Sequence, residues 1–114
     1  MEADFYDFLL QTYKPEEIEL QPKFELQPTF TKHGITHRAI TYIADFRIGN
    51  LIFDVKGMKT LHFILKYKMF EYKNPDLHLT LITQCPVKYQ HIYGKWIEVD
   101  TLAQERKQAK KVSK

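Results

Sequence analysis

Asp45, Asp54 and Lys56 stand among the Ile, Leu, Phe and Val residues of the stretch YIADFRIGNLIFDVKGMKT, residues 42 to 60. Gly49-Asn50 has the form of a two-residue hairpin loop. With that loop, Ile48 pairs with Leu51, Arg47 with Ile52, Phe46 with Phe53 and Asp45 with Asp54. Alternation then puts both aspartates on one face, with Lys56 two residues further along it. Directly opposed residues have Cβ atoms roughly 4.5–5.5 Å apart, where like charges are destabilising. A chain selected for folding alone rarely places two carboxylates there, between strands of Ile, Leu, Phe and Val. A divalent cation removes the conflict, because its charge favours both ionised forms. Donors that are all oxygen point to Mg²⁺, or Mn²⁺, rather than zinc.

Lysine beside such a site has a defined use. Its ammonium can orient or deprotonate an attacking water, or offset charge growing on phosphorus. Asp45, Asp54 and Lys56 together therefore describe metal-dependent hydrolysis of a phosphodiester. The competing view treats each carboxylate as a solvated face residue and the Asp-x-Lys spacing as chance. Asp-x-Lys alone is common; its place on a hairpin opposite a second aspartate is what gives it weight.

The elements that must hold these residues are legible along the chain. Phe5, Tyr6, Leu9 and Leu10 form the stripe of a helix from Glu2 to about Tyr13, ended by Lys14-Pro15. From Ile18 to Phe30 the pattern alternates, and Pro22 and Pro28 confine it to sheet edges or breaks. Lys32-His33-Gly34 turns the chain into a strand from His37 to Arg47, and Leu51–Lys56 follows the hairpin. The period of Leu61 to Lys73 predicts a helix, stopped by Asn74-Pro75. LHLTLIT, residues 77–83, reads as a strand reached by a strand–helix–strand crossover. A short strand near Trp96–Val99 and a helix over Thr101–Lys111, capped by Asp100, complete the order. The expected class is α/β, helices packed around a mixed sheet.

Composition narrows the alternatives. One hundred and fourteen residues, 44% hydrophobic and 14% aromatic, make one domain able to bury a core, which excludes a disordered chain. No apolar run approaches the roughly 20 residues that span a bilayer, and the start MEADFYDFLL lacks a cationic leader region. A single cysteine, Cys85, excludes a disulfide framework and fits a reducing cytoplasm. Net charge is +3, unevenly spread: residues 1–30 hold two Lys against seven acids, and residues 105–114 hold five basic residues against one Glu. A basic body and tail suit a polyanionic partner, though solubility alone also explains them.

Other groups along the chain have types that could do chemistry. Lys59, His62, Lys66 and Lys73 share a helical register and can meet phosphates beside the acidic face, Lys59 foremost. Arg38 can do the same, while Arg47 shares the acidic face and can simply offset its charge. The five histidines show no zinc-like spacing, and Cys85 has no evident base for a nucleophilic thiol. Gly-rich phosphate loops are absent from the sequence.

Ala44-Asp45-Phe46 followed by Asp54-Val55-Lys56-Gly57 resembles the signature of the PD-(D/E)xK nucleases, the superfamily of restriction-like endonucleases and junction resolvases. More narrowly, IELQPKFELQP (18–28), RAITYIADF (38–46), DVKGMKT (54–60) and the helix before Asn74-Pro75-Asp76 look like a phage and prophage family of Holliday-junction-resolvase-like endonucleases. The resemblance covers about residues 2–83 of a single domain and leaves 85–114, with its basic tail, as an extension. It implies a restriction-endonuclease-like core and Mg²⁺-dependent cleavage of branched DNA by a homodimer in the cytoplasm, the host's if the protein is phage-encoded. It also implies a third acid, Glu2, within Glu2-Ala3-Asp4-Phe5-Tyr6. The helix period agrees, since positions 2, 5, 6 and 9 share one face, although an acid in a first turn also complements the helix dipole. In this resemblance Asp45, Asp54 and Glu2 are metal ligands, Lys56 is catalytic, and Lys59, Lys66 and Arg38 bind DNA. Two alternatives stay open: a restriction-like or nicking nuclease on the same fold, and a non-catalytic DNA-binding module.

Overall fold

The computed structural model describes residues 1–112, so the end of the basic tail lies outside the described residues. Helix α1 (Glu2–Leu9) opens the chain, followed by a single 3₁₀ turn at Pro15–Glu17. Strands β1 (Glu19–Leu20), β2 (Lys23–Gln27), β3 (Phe30–Lys32), β4 (Ile35–His37), β5 (Ile40–Ile43), β6 (Phe46–Ile48) and β7 (Leu51–Val55) come next. Helix α2 (Leu61–Lys73) leads to β8 (His78–Gln84), the short α3 (Gln90–Tyr93), β9 (Trp96–Glu98) and α4 (Val99–Val112). Five strands form a mixed sheet in the order β1-β6-β7-β8-β9, in which β7 and β8 run parallel and the other neighbours antiparallel. The α/β class with a mixed sheet between helices is therefore what the chain adopts.

Each face of that sheet has its own apolar layer. Helix α1 lays Phe5 and Leu9 against Phe46, Ile48 and Ile82. Phe5 is the hub there, its ring 5.9 Å from Phe46, 5.6 Å from Phe53 and edge-on to Trp96 at 5.1 Å. On the opposite face α2 and the β2–β5 pair bury Ile52, Leu79 and Leu81 under Phe63, Phe70, Leu26 and Tyr42. The Thr60 hydroxyl accepts the Phe63 N–H at 3.1 Å, satisfying one free donor at the start of α2.

The hairpin register is the one that the Gly49-Asn50 loop predicts: Phe46 opposite Phe53, Arg47 opposite Ile52, Ile48 opposite Leu51. Three expected boundaries differ. Beyond Leu9 the first helix tightens, with the Gln11 N–H bonded to Phe8 and the Thr12 N–H to Leu9, so it is shorter than the stripe suggests. The strand expected over residues 37–47 is three strands. Its breaks at Arg38–Ala39 and Ala44–Asp45 lie opposite Pro28 and Pro22, which have no N–H to give to a ladder. Asp100 does not cap the last helix; α4 begins at Val99, and the Asp100 carboxylate instead takes the Lys59 ammonium at 2.6 Å.

Residues 85–112 are built into this arrangement. Strand β9 pairs with β8 through Ile82–Glu98, Thr83–Ile97 and Gln84–Trp96, and Cys85, Tyr89, Ile97 and Leu102 form a third buried cluster. No helix among the described residues is long and apolar enough to cross a membrane.

Phe70 is fully buried and meets Phe24 edge-on at 4.9 Å, whereas Leu65 on the same helix is 60% exposed. Phe70→Ala is expected to lower unfolding stability by about 3–5 kcal/mol. Leu65→Ala should stay within about 0.5 kcal/mol of the parent. Urea unfolding followed by circular dichroism measures both.

Candidate active site

The acidic residues meet where β7 ends and β6 begins. Asp54 alternates with Ile52 on the face that carries α2, and its neighbour on β8 is Leu81. It is buried, 2% exposed. Burial among Ile52, Leu81, Tyr42 and Phe63 makes an ionised carboxylate expensive unless it is bonded. Two partners answer that need. The Tyr42 hydroxyl donates a short hydrogen bond to Asp54 Oδ2, and the Lys56 ammonium stands 3.7 Å from the same oxygen. Lys56 is two residues on and on the same face, as alternation requires, with 41% of its side chain exposed and its Nζ 5.8 Å above the Phe63 ring.

Asp45 is close to Asp54 by a different route from the simple cross-strand pair. The ladder ends at Phe46–Phe53, and the backbone bends at Ala44–Asp45 opposite Pro22. Gln21, at φ 50, completes the bend on the partner side and donates its N–H to the Asp45 carbonyl at 2.9 Å. The Asp45 N–H bonds to the Phe53 carbonyl at 3.1 Å, and Asp45 Oδ2 accepts the Val55 N–H at 2.7 Å. Asp45 thus straddles Asp54, bonded to the backbone of both its neighbours. The bend avoids a head-on opposition of like charges yet keeps the two carboxyls close enough for Asp45 to act on the ionisation of Asp54.

That proximity sets the ionisation of the pair. Burial pushes the Asp54 carboxyl up, the neighbouring Asp45 carboxylate pushes it further, and Tyr42 and Lys56 pull it back, leaving it at about 6. Burial and the adjacent Asp54 carboxylate hold the Tyr42 phenol far above its ordinary value, so it stays a donor. Glu2, at the start of α1, lies near enough to Asp45 for the two to interact. Loss of water around it and the neighbouring Asp45 carboxylate raise its carboxyl, while the amino terminus lowers it.

The carboxylates therefore form a chain, Glu2 to Asp45 to Asp54, rather than a cage. No three His, Cys, Asp or Glu side chains among the described residues stand together as a ready metal site. Mg²⁺ commonly takes only one or two carboxylates and fills its remaining positions with water and substrate phosphate. Two adjacent oxygen donors, one of them buried and raised, fit such an ion, since a divalent charge relieves the repulsion between them. Asp45 and Asp54 are the residues that would hold it, with Glu2 able to join through Asp45.

The expected phosphate contacts do not gather. Lys59 is ion-paired with Asp100, Lys66 is half-buried on α2, and Arg38 is exposed between β4 and β5. Arg47 folds back on the hairpin, its Nε donating to the Gly49 carbonyl at 2.9 Å. Burial pushes the Cys85 thiol up, which keeps it protonated and unreactive at neutral pH. A cleft of about 710 Å³ lies beside α1, between Asp4, Phe8, Cys85 and Trp96, and includes none of the acidic trio or Lys56. Tyr42 is the one site residue that the sequence argument passed over. A buried tyrosine needs a partner for its hydroxyl, and an acid on the neighbouring apolar strand was the available one.

Residues 1–91 match a family described as "Protein of unknown function (DUF1064)". The chain belongs to that family. The matched span carries Glu2, Tyr42, Asp45, Asp54 and Lys56 together and stops within α3, before β9. No curated protein and no solved structure matches the chain.

Asp54 gives a signed pH effect. Its folded value, about 6, lies above the 3.8 of an unperturbed aspartate, so the folded state binds the proton more tightly. Its contribution to stability is full below about pH 4 and is lost as pH rises through about 6. Asp54→Asn should therefore gain on the parent across that window, by roughly 3 kcal/mol at most at neutral pH without metal. Denaturant melts of both proteins from pH 4 to 7.5 read the difference; parallel curves would show that Asp54 is not raised.

Proposed function

We propose that this protein is a metal-dependent DNA endonuclease with a restriction-endonuclease-like core, hydrolysing phosphodiesters in branched DNA such as four-way junctions. One observation carries the reading: Asp45 and Asp54 converge at the end of β7, Asp45 Oδ2 taking the Val55 N–H at 2.7 Å, with the Lys56 ammonium 3.7 Å from Asp54. A fold without a substrate has little use for that pair, because Asp54 is buried and raised at a cost to stability.

Mg²⁺ held by Asp45 and Asp54 would polarise the phosphoryl oxygen and lower the pKa of a bound water. The chain's own groups do the rest. Tyr42 donates to Asp54 Oδ2 and so favours its ionised form. The Val55 N–H fixes one oxygen of Asp45, leaving the other for Asp54, Glu2 or the ion. Lys56, half in solvent, orients the attacking water or offsets charge developing on phosphorus. Glu2, held by α1, supports Asp45 from the open side. The preference for branched DNA rests on the sequence resemblance, and so does the homodimer, since two symmetric cuts call for two sites related by a two-fold axis.

Purified protein with Mg²⁺ should nick a four-way junction faster than matched linear duplex, and Asp54→Asn should abolish the cutting while preserving binding. Lys56→Ala should cut turnover at saturating DNA by about 10²–10⁴, with no loss of Mg²⁺ affinity. Equal cutting of linear and branched DNA would move the protein to a restriction-like or nicking nuclease. DNA binding with no cleavage under any divalent ion would make it a binding module, and unchanged cutting by Asp54→Asn would remove the site.

A further inference from the structure

Between β2 and β5 the chain leaves the body as a separate two-stranded ribbon. Strand β3 pairs with β4 through Phe30–His37, Thr31–Thr36 and Lys32–Ile35, and every residue of both strands is exposed. The tip is His33-Gly34, both with positive φ, 54° and 77°. That is the backbone of a tight turn whose twist matches the ribbon, and for His33 it is a conformation that side chains seldom adopt. At the neck, the Thr29 hydroxyl accepts the Ala39 N–H at 3.0 Å. A hairpin without a buried face is marginal in water by itself, so folding does not explain why the chain keeps one.

Its chemistry has one sign. From Leu26 to Ala44 there is no Asp or Glu, while Lys32, Arg38, His33 and His37 fall within the span. One face carries Lys32, Ile35, Phe30 and His37, the last two stacked at 4.7 Å; the other carries the Thr31 and Thr36 hydroxyls, 3.1 Å apart. The ladder that carries the ribbon is the one that bends at Asp45. Asp45 is eight residues from His37 and twelve from His33, at most roughly 26 and 40 Å along a strand. A helical turn of DNA is about 34 Å, and its major groove admits a two-stranded ribbon.

We infer that the β3–β4 ribbon is a duplex-docking arm, which seats on DNA about one helical turn from the scissile phosphate, with Lys32 and Arg38 on the backbone. This rests on the proposed nuclease reading for the position of the cut, and it adds where the DNA runs. Charge complementarity selects the occupant: a cationic, acid-free ribbon with hydroxyl and imidazole donors fits a polyanion with acceptors in its groove.

The test measures binding with Ca²⁺ in place of Mg²⁺, on duplexes that extend 5 or 20 base pairs from a fixed four-way junction. Lys32→Ala with Arg38→Ala should weaken binding to the long-armed DNA roughly tenfold and lower the salt slope by about two phosphate contacts. On the short-armed DNA the double variant and the parent should converge. Both residues are exposed and outside the core, so folding is not at stake. Equal binding by parent and variant on both DNAs, or an equal loss on both, overturns the arm. If the parent also cuts with Mg²⁺, the nuclease reading survives that failure. A length-dependent loss in a protein that never cuts keeps the arm and removes the nuclease. No DNA binding by the parent removes both.

Discussion

Everything in this fold is arranged around one unfavourable placement: a carboxylate, Asp54, inside an apolar layer with a second carboxylate against it. Burial strips water from it, and Asp45 adds like charge. The surroundings compensate only in part. Tyr42 supplies a hydrogen bond and Lys56 a partly solvated charge, yet the carboxyl remains raised. Buried polar groups of this kind persist where a partner outside the chain completes them. Under the proposed function, a hard divalent cation and a phosphodiester would be that partner.

The scaffold holds that placement from both sides. Parallel pairing of β7 with β8 brings Val55 beside Ile82, and the Lys56 N–H extends the ladder to the Ile82 carbonyl at 2.9 Å, which fixes where the Lys56 side chain departs. Helix α2 covers one face through Phe63 and Phe70, and α1 the other through Phe5 and Leu9. Glu2 sits one turn before Phe5, so the contact that anchors α1 also delivers its acid to Asp45. The Lys59–Asp100 pair links the loop after the site to α4. Exposed and single, that pair contributes little to stability.

The prolines have a part in this geometry that their usual role as breakers understates. Pro22 and Pro28 interrupt one long antiparallel ladder at two points. The first interruption bends the chain at Asp45 and turns its carboxylate to the Val55 N–H. The second frees the β3–β4 ribbon from the body. Missing N–H groups thus create both the corner that carries the acid and the neck that carries the ribbon.

Local rules were enough to read the hairpin and its register, the helix from Leu61 to Lys73, and the shared face of Asp54 and Lys56, because turn chemistry and the period of two act between near neighbours in sequence. The α/β class followed from the same periods. Tertiary structure alone decided that Asp54 is buried against Tyr42, that Asp45 straddles it instead of opposing it, that Glu2 meets Asp45, and that Lys59 is taken by Asp100. Each of those depends on which distant segments come together. Burial and ionisation are set by that packing, which no short window of sequence contains.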